Sequence, residues 1–292
     1  MEVKAYAKIN LCLDVLKRHD DGYHEVEMVM TNVNVFDVLE IEERNDKRIL
    51  LISDNKELAM DESNLIYKAI VLLQRETGKN FGIEIKLKKN IPMQAGMAGG
   101  SADGAATLKA VNKLLSLGIS ENRLLQLAAV LGADVPFCIN GGTVLAFGIG
   151  EKLVKLKALP KIKLLIAKPA AGLPTKEVYE SLNIDDLNKN GFIHPDIKKM
   201  LSVIDSDIED KLKIKKIANT LDNILEVPAL RLLPEIANIK RVMKDNNCLG
   251  CLMSGSGTSV FGIFEKDEDI HSAKKILEKD DFINYIQITN TI

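Results

Sequence analysis

Polar and apolar residues alternate at the start of the chain. Val3, Ala5, Ala7, Ile9, Leu11, Leu13 and Val15 fall on one parity; Lys4, Tyr6, Lys8 and Asn10 fall on the other. A period of two predicts a half-buried strand over Val3 to Leu16, with Lys8 and Asn10 on its polar face. The charged run Lys17 to Gly22 turns the chain, and Tyr23 and His24 follow directly. Glu25 to Met30, Val33 to Glu42 and Ile49 to Ile52 predict further strands. From Asn64 to Arg75 the period changes to that of a helix, with a stripe of Leu65, Ala69, Leu72 and Leu73, a cap at Ser63 or Asn64 and a stop at Gly78.

Phe81 to Leu87 alternates again, then leads into Asn90-Ile-Pro-Met-Gln-Ala-Gly-Met-Ala-Gly-Gly-Ser-Ala-Asp-Gly-Ala-Ala and a helical pattern from about Ser101 to Leu115. Gly96, Gly99 and Gly100 occupy the turn. Strand, glycine-rich turn and helix start together form a plausible phosphate cradle, because the backbone can approach a ligand and free N–H groups point outward. The same pattern also fits a tight turn before a buried helix. A helix from Ser120 to Leu131 follows, then the turn Gly132 to Cys138, then a strand over Thr143 to Phe147.

A boundary near Leu156 to Lys161 divides the chain into residues 1–157 and 158–292. The second part predicts a strand at Lys161 to Ala167, a loop at Pro169 to Pro174 and a short helix at Lys176 to Leu182. A polar, loop-rich stretch follows from Asp185 to Lys199. Helices are expected at Val203 to Ala218 and Ala229 to Ile239. Lys240 to Lys244 and Cys251 to Met253 flank a turn. The end reads as the glycine turn Ser254 to Thr258, a strand at Ser259 to Phe264, a helix at Asp267 to Glu278 and a strand at Phe282 to Ile288. Strands first and helices later make this an α+β chain, with helices on a smaller antiparallel sheet in the second part.

Composition narrows the function. The 292 residues are 46% hydrophobic and 27% charged, as in an ordinary globular protein. A formal net charge of −2 gives no nucleic-acid footprint. No stretch suits a bilayer span or a secretory signal, so a soluble, cytoplasmic protein without a membrane partner is expected. Cys248 and Cys251 have neither a second cysteine pair nor a close histidine pair beside them, and read as small buried side chains. The four histidines stand in unrelated contexts, which argues against a metal cluster. G-x-G-x-x-G and G-x-x-x-x-G-K-[ST] spacings are both absent, so dinucleotide-binding and P-loop readings are disfavoured.

Phosphoryl transfer needs a phosphate cradle, positive charge on the moving group and a side chain to orient or deprotonate the acceptor hydroxyl. Ser101 could cap the helix or reach a magnesium ion. Asp134 sits among apolar neighbours, where a carboxylate must be held, either as a base or as a turn cap. Lys8 could stabilise phosphate charge, or be a solvated strand lysine. Tyr23 and His24 could stack a ring and read its edge, or pack a hairpin. Gly255 and Gly257 would matter only if they faced the first glycine run.

Three blocks together resemble the GHMP kinase superfamily. They are Ala7 to Val15 with Asp20-Asp-Gly-Tyr-His24; Pro92 to Ala106 with Leu131-Gly-Ala-Asp-Val-Pro-Phe137; and Leu252 to Phe261. The resemblance implies the GHMP kinase fold, with a ribosomal-protein-like β/α N-terminal domain and a ferredoxin-like C-terminal domain. It implies an ATP- and Mg2+-dependent small-molecule kinase, monomeric or homodimeric. The Asp-Gly-Tyr-His block is similar to that of members acting on 4-diphosphocytidyl-2-C-methyl-D-erythritol, on the non-mevalonate route to isoprenoids.

On this resemblance Lys8 and Asp134 are the catalytic pair. Pro92, Met93, Gln94, Ala95, Gly96, Met97, Ala98, Gly99, Gly100, Ser101 and Ala102 hold the triphosphate, with Ser101 toward the metal. Asn64, Leu65, Ile66 and Lys89 lie near the adenosine. Tyr23, His24 and Tyr179 take the cytosine, and Asn10, Asp134 and Thr175 help place the rest of the substrate. The chain departs from the pattern in three places: Met97-Ala98 after Gly96, Ala102 in place of a second serine, and Gly104 inside the helix in place of alanine.

Overall fold

The structure is a computed structural model that describes residues 1–189 and 191–292. In chain order the elements are β1 (Glu2–Arg18), β2 (His24–Arg44), β3 (Ile49–Ser53), α1 (Leu65–Thr77), β4 (Gly82–Lys88), α2 (Gly99–Leu114), α3 (Glu121–Leu131), α4 (Val135–Asn140), β5 (Thr143–Gly148) and β6 (Lys152–Lys155). They continue with β7 (Lys163–Pro169), α5 (Thr175–Glu180), α6 (Ile184–Lys189), α7 (Ile197–Asp205), α8 (Asp210–Ala218), β8 (Asp222–Asn223), α9 (Glu226–Leu232), α10 (Glu235–Asp245), β9 (Gly250–Met253), β10 (Val260–Ile263), α11 (Asp267–Leu277) and β11 (Ile283–Asn290). Two compact units interleave along the chain. The first comprises Met1–Ala7, Val35–Ile91 and Ala98–Gly141; the second comprises Lys8–Asn34, Pro92–Met97 and Gly142–Ile292.

In the first unit the far half of β2 pairs antiparallel with β4, Ile41 opposite Ile85, and β3 runs parallel on the other side of β4. Leu39, Ile41, Ile83 and Ile85 are fully buried, together with Ile66, Leu73, Leu108 and Phe137 of the helices. The Asn64 side chain caps α1 by accepting from the Ile66 N–H at 2.9 Å, and Gly78 ends it at φ 65°. The buried stripe is Ile66, Ala69, Ile70 and Leu73, turned slightly from the expected one; Leu65 and Leu72 lie at its margin. Gly104 has a packing reason, because a Cβ there would stand 3.3 Å from Leu65 Cβ. A glycine inside α2 lets α1 approach closely, which offsets its poor helix propensity.

In the second unit the near half of β2 pairs with β5, β5 with β6, and β1 runs parallel to β8 through Cys12 and Leu13. A four-stranded sheet has the order β11-β7-β10-β9, all its neighbours antiparallel. Leu164, Leu165, Ile166 and Ala167 of β7 are all buried. That is why β7 reads as a continuous apolar run rather than an alternating one. Ile236, Ile239 and Met243 of α10 and Ile270 and Leu277 of α11 complete this core.

Several expectations change. Glu25 to Met30 and Val33 to Glu42 form one strand, because the polar break between them is satisfied inside the ladder: the hydroxyls of Thr31 and Thr143 are 3.0 Å apart and Asn32 Oδ1 accepts from Gly142 N. The turn at Gly132 to Cys138 contains the start of α4, with Pro136 in its first turn, where a missing N–H costs nothing. The helix over Val203 to Ala218 is two helices, broken at extended Ser206. The helix over Ala229 to Ile239 is also two, broken at Leu233, whose extended backbone is what a residue before Pro234 adopts. Lys240 to Lys244 belongs to α10 instead of flanking a turn. The loop-rich stretch includes α6 and the start of α7; Asn190 within it lies outside the described residues.

Candidate active site

The second unit gathers one group of candidates around the loop 92–97. Gly96 has φ 68°, and a Cβ there would lie 1.9 Å from the Ser254 carbonyl oxygen. No other residue fits without moving backbone. Ser254 Oγ donates to the Gly96 carbonyl at 2.9 Å and accepts from Asn10 N at 3.3 Å. Thr258 N and Ser259 N donate to the carbonyls of Gln94 and Ala95, both at 3.3 Å. The glycine turn 254–258 therefore clasps the glycine-bearing loop, the condition under which its glycines matter. Asn223 Nδ2 holds the turn from below, donating to the carbonyls of Met253 and Gly255 at 2.9 and 2.8 Å.

Beside this clasp lie Lys8 and Asn10, both buried on the polar face of β1. Lys8 Nζ donates to Asn10 Oδ1 at 2.6 Å, and Lys8 N donates to the Met97 carbonyl. Among the described residues no carboxylate pairs with Lys8. A Cβ on Gly255 would stand 3.2 Å from Lys8 Nζ, so this glycine keeps the ammonium clear. Thr175, at the start of α5, has its hydroxyl 3.0 Å from that of Ser256.

The same unit brings His24 against Tyr179, ring centroids 5.0 Å apart and tilted by 41°. Tyr23 stays 60% exposed, its N–H donating to Asp21 Oδ1. Burial lowers the His24 pKa, helped by the charges of Arg18 and His19. The imidazole is therefore neutral at neutral pH, with one donor and one acceptor to offer.

The first unit holds the other candidates. Ala98 enters α2 in the left-handed region at φ 57°, and no side chain caps the helix. The N–H groups of Gly99, Gly100 and Ser101 find no acceptor among the described residues, and the Ser101 hydroxyl has no partner there either. Gly100 is exposed, with Leu65 Cδ1 at 3.8 Å the nearest atom to a Cβ built on it. An uncapped, open helix N-terminus of this kind fits the phosphates of ATP. Ala102 is buried on the inner side of the helix.

Asp134 is the N-cap residue of α4, partly exposed. Its carboxylate makes no hydrogen bond or ion pair among the described residues. Asn64 is occupied on both sides of its amide, by Ile66 N and the Ala59 carbonyl. Lys89 is also occupied: its ammonium is bonded to Asp37 and, at 2.9 Å, to Asp103 Oδ2. Asp37 Oδ1 in turn accepts from Asn90 N and Ile91 N at 2.6 and 2.8 Å, where the chain enters the glycine loop.

Asp37, Asp103, Asn223 and Ser254 are the residues that sequence reasoning missed or undervalued. Asp37 in an apolar strand and Asp103 on the small-residue face of a helix were the available signals, since a buried carboxylate must be paired.

Residues 64–142 match the family model described as GHMP kinases N terminal domain, and residues 198–283 match GHMP kinases C terminal. A Caldicellulosiruptor bescii protein named 4-diphosphocytidyl-2-C-methyl-D-erythritol kinase is 42% identical over 291 residues, covering 100% of this chain and 98% of the relative. A Clostridioides difficile protein of the same name is 42% identical over 280 residues, covering 96% and 92%. A crystal structure of 4-(cytidine 5'-diphospho)-2C-methyl-D-erythritol kinase superposes with a TM-score of 0.79 at 31% identity, covering 100% of this chain and 99% of that one. Homoserine kinase from Cytophaga hutchinsonii has a TM-score of 0.73 at 21% identity, covering 100% and 94%, a likeness of fold alone. Among the described residues no helix is long and apolar enough to cross a membrane.

Proposed function

The chain belongs to the 4-diphosphocytidyl-2-C-methyl-D-erythritol kinase family of GHMP kinases, and from that premise we propose that it moves the γ-phosphoryl group of ATP to the 2-hydroxyl of 4-diphosphocytidyl-2-C-methyl-D-erythritol, giving the 2-phosphate and ADP. The step belongs to the non-mevalonate formation of isoprenoid precursors, and we place the enzyme in the cytoplasm. The domains of this proposal are 1–157 and 158–292, each containing one of the two family-model matches.

The observation that carries the site reading is the clasped loop 92–97 with buried Lys8 beside it, its ammonium held by the Asn10 amide. A cation held by a neutral amide keeps its charge for a ligand. In the proposed reaction Lys8 offsets charge on the transferred phosphoryl group, and the Asp134 carboxylate accepts or orients the proton of the 2-hydroxyl. The loop 92–97 and the open N–H groups of Gly99, Gly100 and Ser101 hold the triphosphate. Asn64 to Ile66 and Lys89 flank the adenosine; with the ammonium of Lys89 already engaged, its part is to hold the frame. The Ser101 hydroxyl is the protein group that would hold Mg2+, which when bound would supply positive charge to offset that of the phosphates. Tyr23 and Tyr179 flank the cytosine, neutral His24 reads its edge, and Asn10 and Thr175 place the remainder of the acceptor.

A coupled ATP-consumption assay against this alcohol, mevalonate, homoserine and galactose tests the reading. ADP release with only the cytidyl alcohol is expected; turnover of another member instead would overturn it. Asp134→Asn is expected to abolish turnover while ATP still binds, and full activity would remove Asp134 from the mechanism.

A further inference from the structure

Lys168 is a buried cation with no anion beside it. It stands near the end of β7, 3% exposed. Its ammonium donates to the carbonyl of Pro169 at 2.9 Å and to that of Ala171 at 3.5 Å. Among the described residues it forms no ion pair. Burial lowers its pKa, and no charged neighbour contributes. In the β11 register Tyr285 stands opposite, its hydroxyl donating to Gln287; β10 ends its pairing with β7 at Ala167. Gln94 and Thr258, on the far side of the following loop, are uncharged.

A lysine is almost never buried without a paired carboxylate, because desolvating the ammonium is costly. A methionine would fill the same space without that cost. The explanation lies in the carbonyls it grips. That of Ala171 belongs to Ala170-Ala-Gly-Leu-Pro174, a strap outside any strand or helix, and that of Pro169 ends β7 where the strap begins. Ala170 N donates to the Phe282 carbonyl, and Thr258 Oγ1 donates to the Ala171 carbonyl at 3.1 Å. Gly172 lies against Gln94, where a Cβ would come within 2.2 Å of Oε1. The strap leads straight into α5. Thr175 begins that helix beside Ser256, and Tyr179, one turn on, meets His24.

We infer that Lys168 is a positioning residue for the acceptor alcohol: its ammonium clamps the strap 170–174 and so fixes where Thr175 and Tyr179 stand. An ammonium suits the task because its three donors can serve carbonyls lying in different directions. The inference rests on the reading of Thr175 and Tyr179 as acceptor contacts.

The test uses the full chain as Lys168→Met, Thr175→Ala and the double variant, with kcat, KM for each substrate and thermal unfolding. Lys168→Met is expected to raise the acceptor KM about tenfold, the scale of a lost charged hydrogen bond, leaving the ATP KM unchanged. The double variant is expected to be no worse than the stronger single, since one residue acts through the other. The acceptor kcat/KM of the unaltered chain is expected to fall on the alkaline side as Lys168 loses its proton, and Lys168→Met to lack that limb. A raised KM in Thr175→Ala with none in Lys168→Met overturns the inference, as do effects that multiply. An unchanged KM in Thr175→Ala overturns the reading of the acceptor contacts and this inference with it. Should Lys168→Met not fold, Thr258→Val removes the other hold on Ala171. A smaller rise in the same KM supports the clamp, and no rise overturns it.

Discussion

Two buried lysines, one in each unit, have opposite surroundings. Lys89 grips two carboxylates, and one of these, Asp37, also takes the N–H groups of Asn90 and Ile91. Lys8 has a neutral amide and a glycine that leaves room in front of it. The first arrangement consumes its charge in ordering backbone. The second keeps its charge available to a ligand. Lysine type and burial alone would have assigned both the same role; the partner atoms separate them.

That contrast can be broken most forcefully at Lys89. Lys89→Met leaves Asp37 and Asp103 facing each other and is expected to destabilise the fold by about 3–5 kcal/mol, the cost of orphaning a buried pair, read by urea unfolding. Lys8→Met should do the reverse, leaving stability nearly intact and lowering kcat by about 10²–10³, as for loss of one transition-state charge partner. A stability loss in Lys8→Met equal to that in Lys89→Met would erase the distinction. Next in size is Gly96→Ala, whose Cβ would collide with the Ser254 carbonyl at a left-handed backbone. A cost of about 1–3 kcal/mol is expected, appearing as weakened ATP binding in titration calorimetry.

The contrast also has a pH dependence, at Asp103. Burial raises its pKa; the Lys89 charge opposes this and the Asp37 charge adds to it. Its Oδ1 is buried with no partner among the described residues. A carboxyl raised on folding favours the native state fully below its unfolded pKa, and that stability is lost as pH rises toward the folded value. Between about pH 4 and that raised value, stability should fall with rising pH. Asp103→Asn should flatten this slope, checked by urea midpoints at two pH values inside the window.

Much of this was readable in advance. The parity of β1 put Lys8 and Asn10 on one face, and the glycine spacing located the loop and the helix start. Pairings between distant positions were not readable. Asp37 and Lys89 are 52 residues apart, and nothing local to either indicates the other. Lys168 was hidden because β7 is buried on both faces, so no alternation marks which residues point where. Gly104 had only a propensity cost until Leu65 appeared beside it. Local periodicity reports which face is buried; it is silent on what lies against that face.

The clasp of Ser254 on Gly96 also bears on the order in which the protein is made. The loop precedes its clasp by 158 residues. During synthesis α2 can be complete while the loop entering it still lacks the serine that sets its backbone. Contacts of such long separation form late and slow folding. A nascent chain halted before residue 254 would carry every residue of the glycine-rich loop and yet not its shape. Binding of ATP is thus expected to appear only after Ser254 has left the ribosome.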